Sequence, residues 1–277
     1  MRTLGVCKGE IEMEGEVLLT ALGARGSAPV SGQKFARYGG ATTCFRLDCE
    51  DCTVFLDAGT GLFHSSAVTD LPCHILLSHA HVDHILGLPL FAPLFSPDFA
   101  VTLWGATREG RQLRAQLDCL MRPPLWPVDF SAFRAKTELK SFNIGDTLTL
   151  SPTVFAETIG TAHPGGCTAY KLHVSGKTLV FATDTELSGN ERELLAFASG
   201  CDLLLLDAQY KDEEYKTRAG FGHSSLSKSL EFIEKCAPGA ALLTHHDPSR
   251  CDDELDEISR SLPKNVSLAK EGMELTL

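Results

Sequence analysis

Four side chains able to hold a metal ion fall within six residues of this chain, in Ser78-His79-Ala80-His81-Val82-Asp83-His84. Neutral imidazole suits zinc, iron or manganese, and a carboxylate compensates the charge of the ion. His and Asp are poor core residues when nothing satisfies them. A single His here would more often be structural. Three with one Asp, directly after the apolar run 73–78, point to a metal site. In a compact loop or helix start, side chains two apart can meet one ion, and the Asp-His pair can serve a neighbouring ion.

The same arrangement recurs along the chain. Apolar runs that read as strands are followed at once by Asp57, His79, Asp184, Asp207 and His245. Strand ends that converge on one edge make a rigid rim for a site. The strands are expected at 17–22, 43–47, 53–56, 73–78, 178–182, 203–206 and 240–244. Helices are expected at 104–121, 191–198, 225–236 and 252–262. The first of these has Leu113, Leu117 and Leu120 at helical spacing, the third Leu226, Leu230 and Ile233, and the last Leu255, Ile258 and Leu262. Residues 23–40, rich in Gly, Ser and Pro, must be loop. Pro123, Pro124 and Pro127 end the 104–121 helix and open an irregular excursion. Segment 104–128 reads as a specificity lid, a dimer contact or a surface loop. Strands and helices in both halves predict an α/β architecture with sheets inside and helices outside.

The bulk numbers exclude some classes. The 277 residues suit one large domain or two small ones, with an ordinary apolar share and a sizeable core. The net charge of −11 is poorly suited to gripping a nucleic-acid backbone over many phosphates. Residues 1–10 contain no apolar stretch of signal-peptide length, and no run is long enough to span a bilayer, so a cytoplasmic protein is expected. Ten scattered Cys do not make a disulfide framework and are expected to be reduced. Cys49 and Cys52 flank Glu50-Asp51 in what reads as a hairpin turn, and are expected to be a structural cross-strand pair.

The His-x-His-x-Asp-His segment resembles the signature of the metallo-β-lactamase superfamily. The resemblance extends to Asp57 in Phe55-Leu56-Asp57-Ala58-Gly59-Thr60-Gly61, His163 in Thr161-Ala162-His163-Pro164, Asp184 in Phe181-Ala182-Thr183-Asp184-Thr185, and His245 in Leu242-Leu243-Thr244-His245-His246. It implies one four-layer αββα sandwich domain over residues 1–277, with ligands along one edge of two sheets. It also implies two divalent metal ions, zinc first and manganese or iron as alternatives. His79, His81 and His163 would hold one ion, and Asp83, His84 and His245 the other. Asp184 would be shared, and Asp57 would support the site from behind. Two such ions can bridge a hydroxide and clamp an oxygen anion, with Asp83 close to the chemistry. His245 is preferred to His246 because it directly follows the apolar run. On a strand the two would face opposite ways.

Two further segments resemble the phosphodiesterase branch of that superfamily, which includes tRNase Z and cyclic-phosphate hydrolases. The first is Asp207-Ala208-Gln209-Tyr210 with Gly222-His223-Ser224-Ser225. It implies that His223 protonates the leaving alkoxide and that Asp207 orients it, although the branch usually has Glu there. The bland alternative is that Ser224 or Ser225 caps the following helix and His223 is merely adjacent. The second is the Gly-rich 23–31 loop, in which Arg25 and Ser27 are expected to contact substrate phosphate. The implied activity is hydrolysis of a small phosphodiester, such as a cyclic nucleotide, with no large nucleic acid, no membrane and a homodimer as the candidate assembly. The alternatives are a thioesterase or lactamase on the same fold, and a metal-containing binding protein.

Overall fold

Strands such as Val54-Phe55-Leu56 and Leu204-Leu205-Leu206 are apolar on both faces, the composition of strands covered on both sides. The computed structural model, which describes residues 17–65, 71–188 and 191–277, places them accordingly. Residues 1–10, read above for a leader, lie outside the described residues. The first sheet contains β1 (Leu18–Gly23), β2 (Cys44–Asp48), β3 (Thr53–Leu56), β4 (Cys73–Leu77), β5 (Ala100–Ala106) and β6 (Lys136–Phe142). The second contains β7 (Thr147–Thr149), β8 (Phe155–Thr161), β9 (Cys167–Val174), β10 (Lys177–Ala182), β11 (Leu203–Asp207), β12 (Ala240–Thr244) and β13 (Val266–Leu268). The last strand, β14 (Glu274–Thr276), returns to the first sheet beside β1. Strand orders are β14-β1-β2-β3-β4-β5-β6 and β13-β12-β11-β10-β9-β8-β7.

Three apolar clusters define four layers. Phe45, Leu47 and Leu56 of the first sheet meet Tyr170, Phe181 and Leu205 of the second in the central core. The outer face of the first sheet is covered by helices α1 (Val82–Ile85) and α2 (Leu113–Leu117), which bury Ile85, Leu113 and Leu117. The outer face of the second is covered by α3 (Arg192–Ala198), α5 (Leu226–Cys236) and α6 (Asp252–Ser261), with Leu194, Ile233 and Leu255 inward. A short helix α4 (Asp212–Arg218) buries none of its side chains. This is the αββα sandwich expected from the resemblance.

The expected helix over 104–121 is corrected. Trp104 belongs to β5, paired with Leu76 and Lys140, and helix is formed only at α2. Buried Leu113 and Leu117 were a true helical signal, but the run before them completes a parallel ladder, and tertiary pairing outweighs local spacing. Cys49 and Cys52 close the β2–β3 hairpin, with the Cys49 N–H donating to the Cys52 carbonyl at 3.0 Å, and both are buried free thiols. No helix among the described residues is long and apolar enough to cross a membrane.

Candidate metal centre

The parallel register of β10, β11 and β12 brings their C-terminal ends level, Ala182 beside Leu206 and Leu206 beside Leu243. Asp184, Asp207 and His245 therefore emerge along one edge. Facing them are β3 and β4, also parallel, which end before Asp57 and His79. After β4 the chain turns into α1, so that Asp83 and His84 sit in its first turn and His81 at its N-cap position. Asp57, Asp184, His245 and Ser27 all take left-handed backbone angles, with φ of 60°, 49°, 60° and 60°. Each such residue costs about 1–3 kcal/mol, which the surrounding structure must offset.

These turns converge the side chains. Ligand atoms of His79, His81 and His163 lie within 4.8 Å of one another, and so do those of Asp83, His84 and His245. Asp184 stands between the two groups. Its Oδ2 is 3.7 Å from both His79 Nε2 and His163 Nε2, while its Oδ1 is 3.3 Å from both His84 Nε2 and His245 Nε2. One oxygen thus faces each triad.

Several imidazoles are oriented from behind. His84 Nδ1 donates to Asp57 Oδ2 (2.7 Å), His163 Nδ1 to the Gly222 carbonyl (2.9 Å), and His245 Nδ1 to Gln209 Oε1 (3.0 Å). Each bond leaves the Nε2 lone pair aimed at the centre, the usual outer-shell device for a metal-binding His. Asp57 is itself held by the Ser78 N–H and hydroxyl at 2.7 and 2.8 Å. Gly26 is needed for close approach, since a Cβ there would lie 2.2 Å from His245 Nδ1. The Nε2 atoms of His79 and His84 are buried with no hydrogen-bond partner. Leaving such an atom unsatisfied costs about 1–3 kcal/mol. Buried lone pairs, carboxylates between them and Nδ1 atoms tied outward together fit divalent cations.

Charge within the cluster is divided accordingly. Burial, then the neighbouring His84, holds His79 well below its ordinary pKa, and burial lowers His81 and His163. Burial also opposes charge on His84, but Asp184, Asp83 and Asp57 outweigh it and raise that group well above the usual range. Burial disfavours the Asp83 and Asp184 carboxylates, yet His84 and His245 hold both below the ordinary carboxylate range. Cations would replace the imidazolium in this balance.

Beside the centre, His223 Nδ1 donates to Asp207 Oδ2 at 2.6 Å. Asp207 Oδ1 accepts the Gln209 and Ser224 N–H groups, both at 3.1 Å. The His223 ring stacks on His245, centroids 4.7 Å apart, and meets His163 edge-on at 5.1 Å. The helix-cap alternative is not what the local bonds show. Ser225 is the N-cap residue of α5 but makes no side-chain cap bond, and Ser224 Oγ donates to the Thr185 carbonyl.

His245 and His246 part, His245 leaving β12 on left-handed backbone with φ of 60°. His246 Nε2 donates to the Ala269 carbonyl at 2.8 Å, away from the cluster, and burial pushes its pKa down to about 4. Ser27 lies exposed at the rim, its N–H on Asp83 Oδ2 at 2.7 Å and its hydroxyl accepting from Gln209 at 3.1 Å. Arg25 requires a correction. Its guanidinium is fully buried and donates to the carbonyls of Gly39 (2.9 Å) and Arg250 (2.7 Å), with Asp252 at 3.9 Å. It pins the loop internally and does not face a substrate. Sequence reasoning gave no role to Gln209, Ser78 or the Gly222 carbonyl. The place of Gln209 two residues after Asp207 was the one available hint.

Fold and site define a metallohydrolase-type αββα sandwich. The model of the beta-lactamase superfamily domain matches residues 52–246, and the chain belongs to that family. It is 24% identical over 244 residues to "Ribonuclease Z" of Shouchella clausii (strain KSM-K16), covering 71% of this chain and 77% of that one. Among solved structures it resembles the metallo-beta-lactamase fold protein YhfI from Bacillus subtilis, at 21% identity and TM-score 0.70 over 94% of this chain and 99% of that one. It also resembles a diphosphatase from the PhnP family, at 20% identity and TM-score 0.71 over 94% and 97%. Family and site together indicate a metal-dependent hydrolase.

Proposed function

We propose that the protein is a binuclear phosphodiesterase acting on a small substrate, such as a cyclic nucleotide or another cyclic phosphate. The observation that carries this reading is the Asp207–His223 pair set against the metal centre. A phosphodiester expels an alkoxide, a poor leaving group, and a positioned acid is worth about 10²–10⁴-fold in such a step. Asp207 engages Nδ1, so Nε2 is the atom left to pass a proton to the leaving oxygen.

His79, His81 and His163 would hold one cation, Asp83, His84 and His245 the other, and Asp184 both. Zinc is the first candidate, with manganese and iron as alternatives. Bound there, the cations would add positive charge at the reacting group and lower the pKa of water from about 15.7 towards about 7. A water oxygen, having given one proton to solvent, bonds to phosphorus as the bond to the leaving oxygen breaks; that oxygen takes the His223 proton, which solvent then restores. Ser27, exposed beside Asp83, is kept as a substrate contact; Arg25 is not. The relative named Ribonuclease Z favours RNA as a second reading. A net charge of −11 argues against holding many phosphates and for the small substrate.

The test is hydrolysis of bis(p-nitrophenyl) phosphate and a 2′,3′-cyclic nucleotide by protein reloaded separately with zinc and manganese. His223→Ala should lose about 10²–10⁴-fold on the cyclic nucleotide. The loss should be smaller on the aryl ester, whose leaving group needs little help. Two bound ions with turnover of a thioester or lactam instead, untouched by His223→Ala, would overturn the proposal. Turnover confined to an RNA substrate would favour the second reading.

A further inference from the structure

The turn that carries His223 is gripped from outside the metal centre by a carboxylate with no role so far. Glu186 follows Asp184 by two residues. Its two carboxylate oxygens accept the Gly220 N–H at 2.8 and 2.9 Å, and Oε2 also accepts the Gly222 N–H at 3.0 Å. The Tyr215 hydroxyl donates to Oε1 at 2.8 Å. The backbone N–H of Glu186 donates to the carbonyl of Ala162, the residue before His163, at 2.9 Å.

Gly222 connects this grip to the chemistry. Its carbonyl accepts from His163 Nδ1, and the next residue is His223. Its φ is +89°, and a Cβ there would fall 2.2 Å from His163 Nδ1. The turn is therefore pressed against one ligand while it delivers the proposed acid. Two strand ends and a turn meet at Glu186: β10 through its own backbone, β8 through Ala162, and the turn before α5 through its side chain. Burial works against charge on Glu186, but the Gly220 N–H and the Tyr215 hydroxyl keep it below the ordinary carboxylate range.

We propose that Glu186 is a positioning residue that locks the 220–223 turn, and through it sets both His163 at the metal centre and His223 on the leaving-group side. The His223 arm rests on the phosphodiesterase reading; the His163 arm does not. Glu186 touches neither the centre nor the reacting atoms and acts through Gly222. An amide could do the same work. The Gln oxygen would accept from Gly220 and Gly222, and its NH₂ would donate to the Tyr215 oxygen, at the loss of one of the two Gly220 contacts.

The experiment compares Glu186→Ala, Glu186→Gln and Gly222→Ala by zinc affinity against a chelator, thermal melting, and kcat and KM on the two phosphodiesters above. Glu186→Ala should weaken zinc binding by about 10–100-fold, the scale of lost outer-shell support. It should also lower kcat more than it raises KM, and lower it further for the cyclic nucleotide than for the aryl ester. Glu186→Gln should restore all three readouts to within a few-fold of the parent. Gly222→Ala should reproduce the paired defect from the other side of the contact; if Glu186→Ala does not fold, Glu186→Asp, whose shorter carboxylate draws back from Gly220 and Gly222, decides the matter. Unchanged zinc affinity and an unchanged preference between leaving groups in a folded Glu186→Ala would overturn the proposal. A defect that Gln does not relieve would also overturn it, since charge rather than hydrogen bonding would then be at work. If the parent hydrolyses no phosphodiester, the functional reading fails and the zinc-affinity comparison still decides the His163 arm.

Discussion

Residues 79–84 and the residues 163, 184, 207, 223 and 245 supply one centre by different routes. The first segment brings His79, His81, Asp83 and His84 together with one strand end and one turn of α1. The second set is dispersed: Asp184, Asp207 and His245 meet because parallel strands β10, β11 and β12 end level, His163 follows β8, and His223 stands in the turn before α5. Connectivity alone keeps the first group close. The second depends on register, on left-handed turns at Asp184 and His245, and on the outward ties to Gly222 and Gln209. The dispersed half should therefore be the more sensitive to changes that never touch an ion.

The strongest attack on this contrast is Asp184→Ala, which removes the carboxylate facing both groups. Metal content measured by mass spectrometry should fall from two equivalents to one or fewer, with turnover down by about 10²–10³-fold or more, as when a main electrostatic stabiliser is deleted. Retention of both ions would show that the halves bind independently. Next comes the adjacent pair. His245→Ala should lose one equivalent of metal, whereas His246→Ala should keep both and instead cost about 1–3 kcal/mol of stability by leaving the Ala269 carbonyl unpaired. The reverse pattern would place the wrong member in the centre.

Gln209→Ala and Asp57→Asn sharpen the comparison by removing one rear support from each half. Each should weaken metal binding by about 10–100-fold. The dispersed half predicts the larger loss for Gln209, because His245 is then held by ring packing against His223 and Gly26, while His84 is also fixed by α1. Equal or reversed losses in a chelator competition would dismiss that asymmetry. The smallest effect on catalysis is expected of Arg25→Met. Its KM should match the parent while stability drops by about 3–5 kcal/mol, since Asp252 and several carbonyls lose a buried partner. A raised KM with an unchanged melting temperature would restore the substrate role withdrawn from Arg25.

How far the site could be read follows the same division. The compact motif was legible because four polar residues after an apolar strand have no other good use. The dispersed residues were legible only as a set, through their order and their resemblance to a family. Arg25 misled because a Gly-rich loop with an Arg resembles an anion cradle, and nothing local says that the guanidinium turns inward to the carbonyls of Gly39 and Arg250. Segment 104–121 misled because Leu113 and Leu117 carry a helical signal into a stretch whose first residues complete the β5 ladder. Strand β6, Lys136–Phe142, gave little signal because an exposed edge strand alternates weakly.

By itself, the sequence determined which strands are apolar on both faces, where each ends, and which ionisable residue stands at that end, because hydrophobic burial acts on residue type and spacing. Only the tertiary structure decided that Asp184 turns one oxygen to each triad, that His245 rather than His246 meets them, that Arg25 is walled in, and that Glu186 holds the turn bearing His223. Those outcomes depend on strand register, on left-handed backbone at a few positions, and on hydrogen bonds between residues far apart in the chain, none of which is written in any local window.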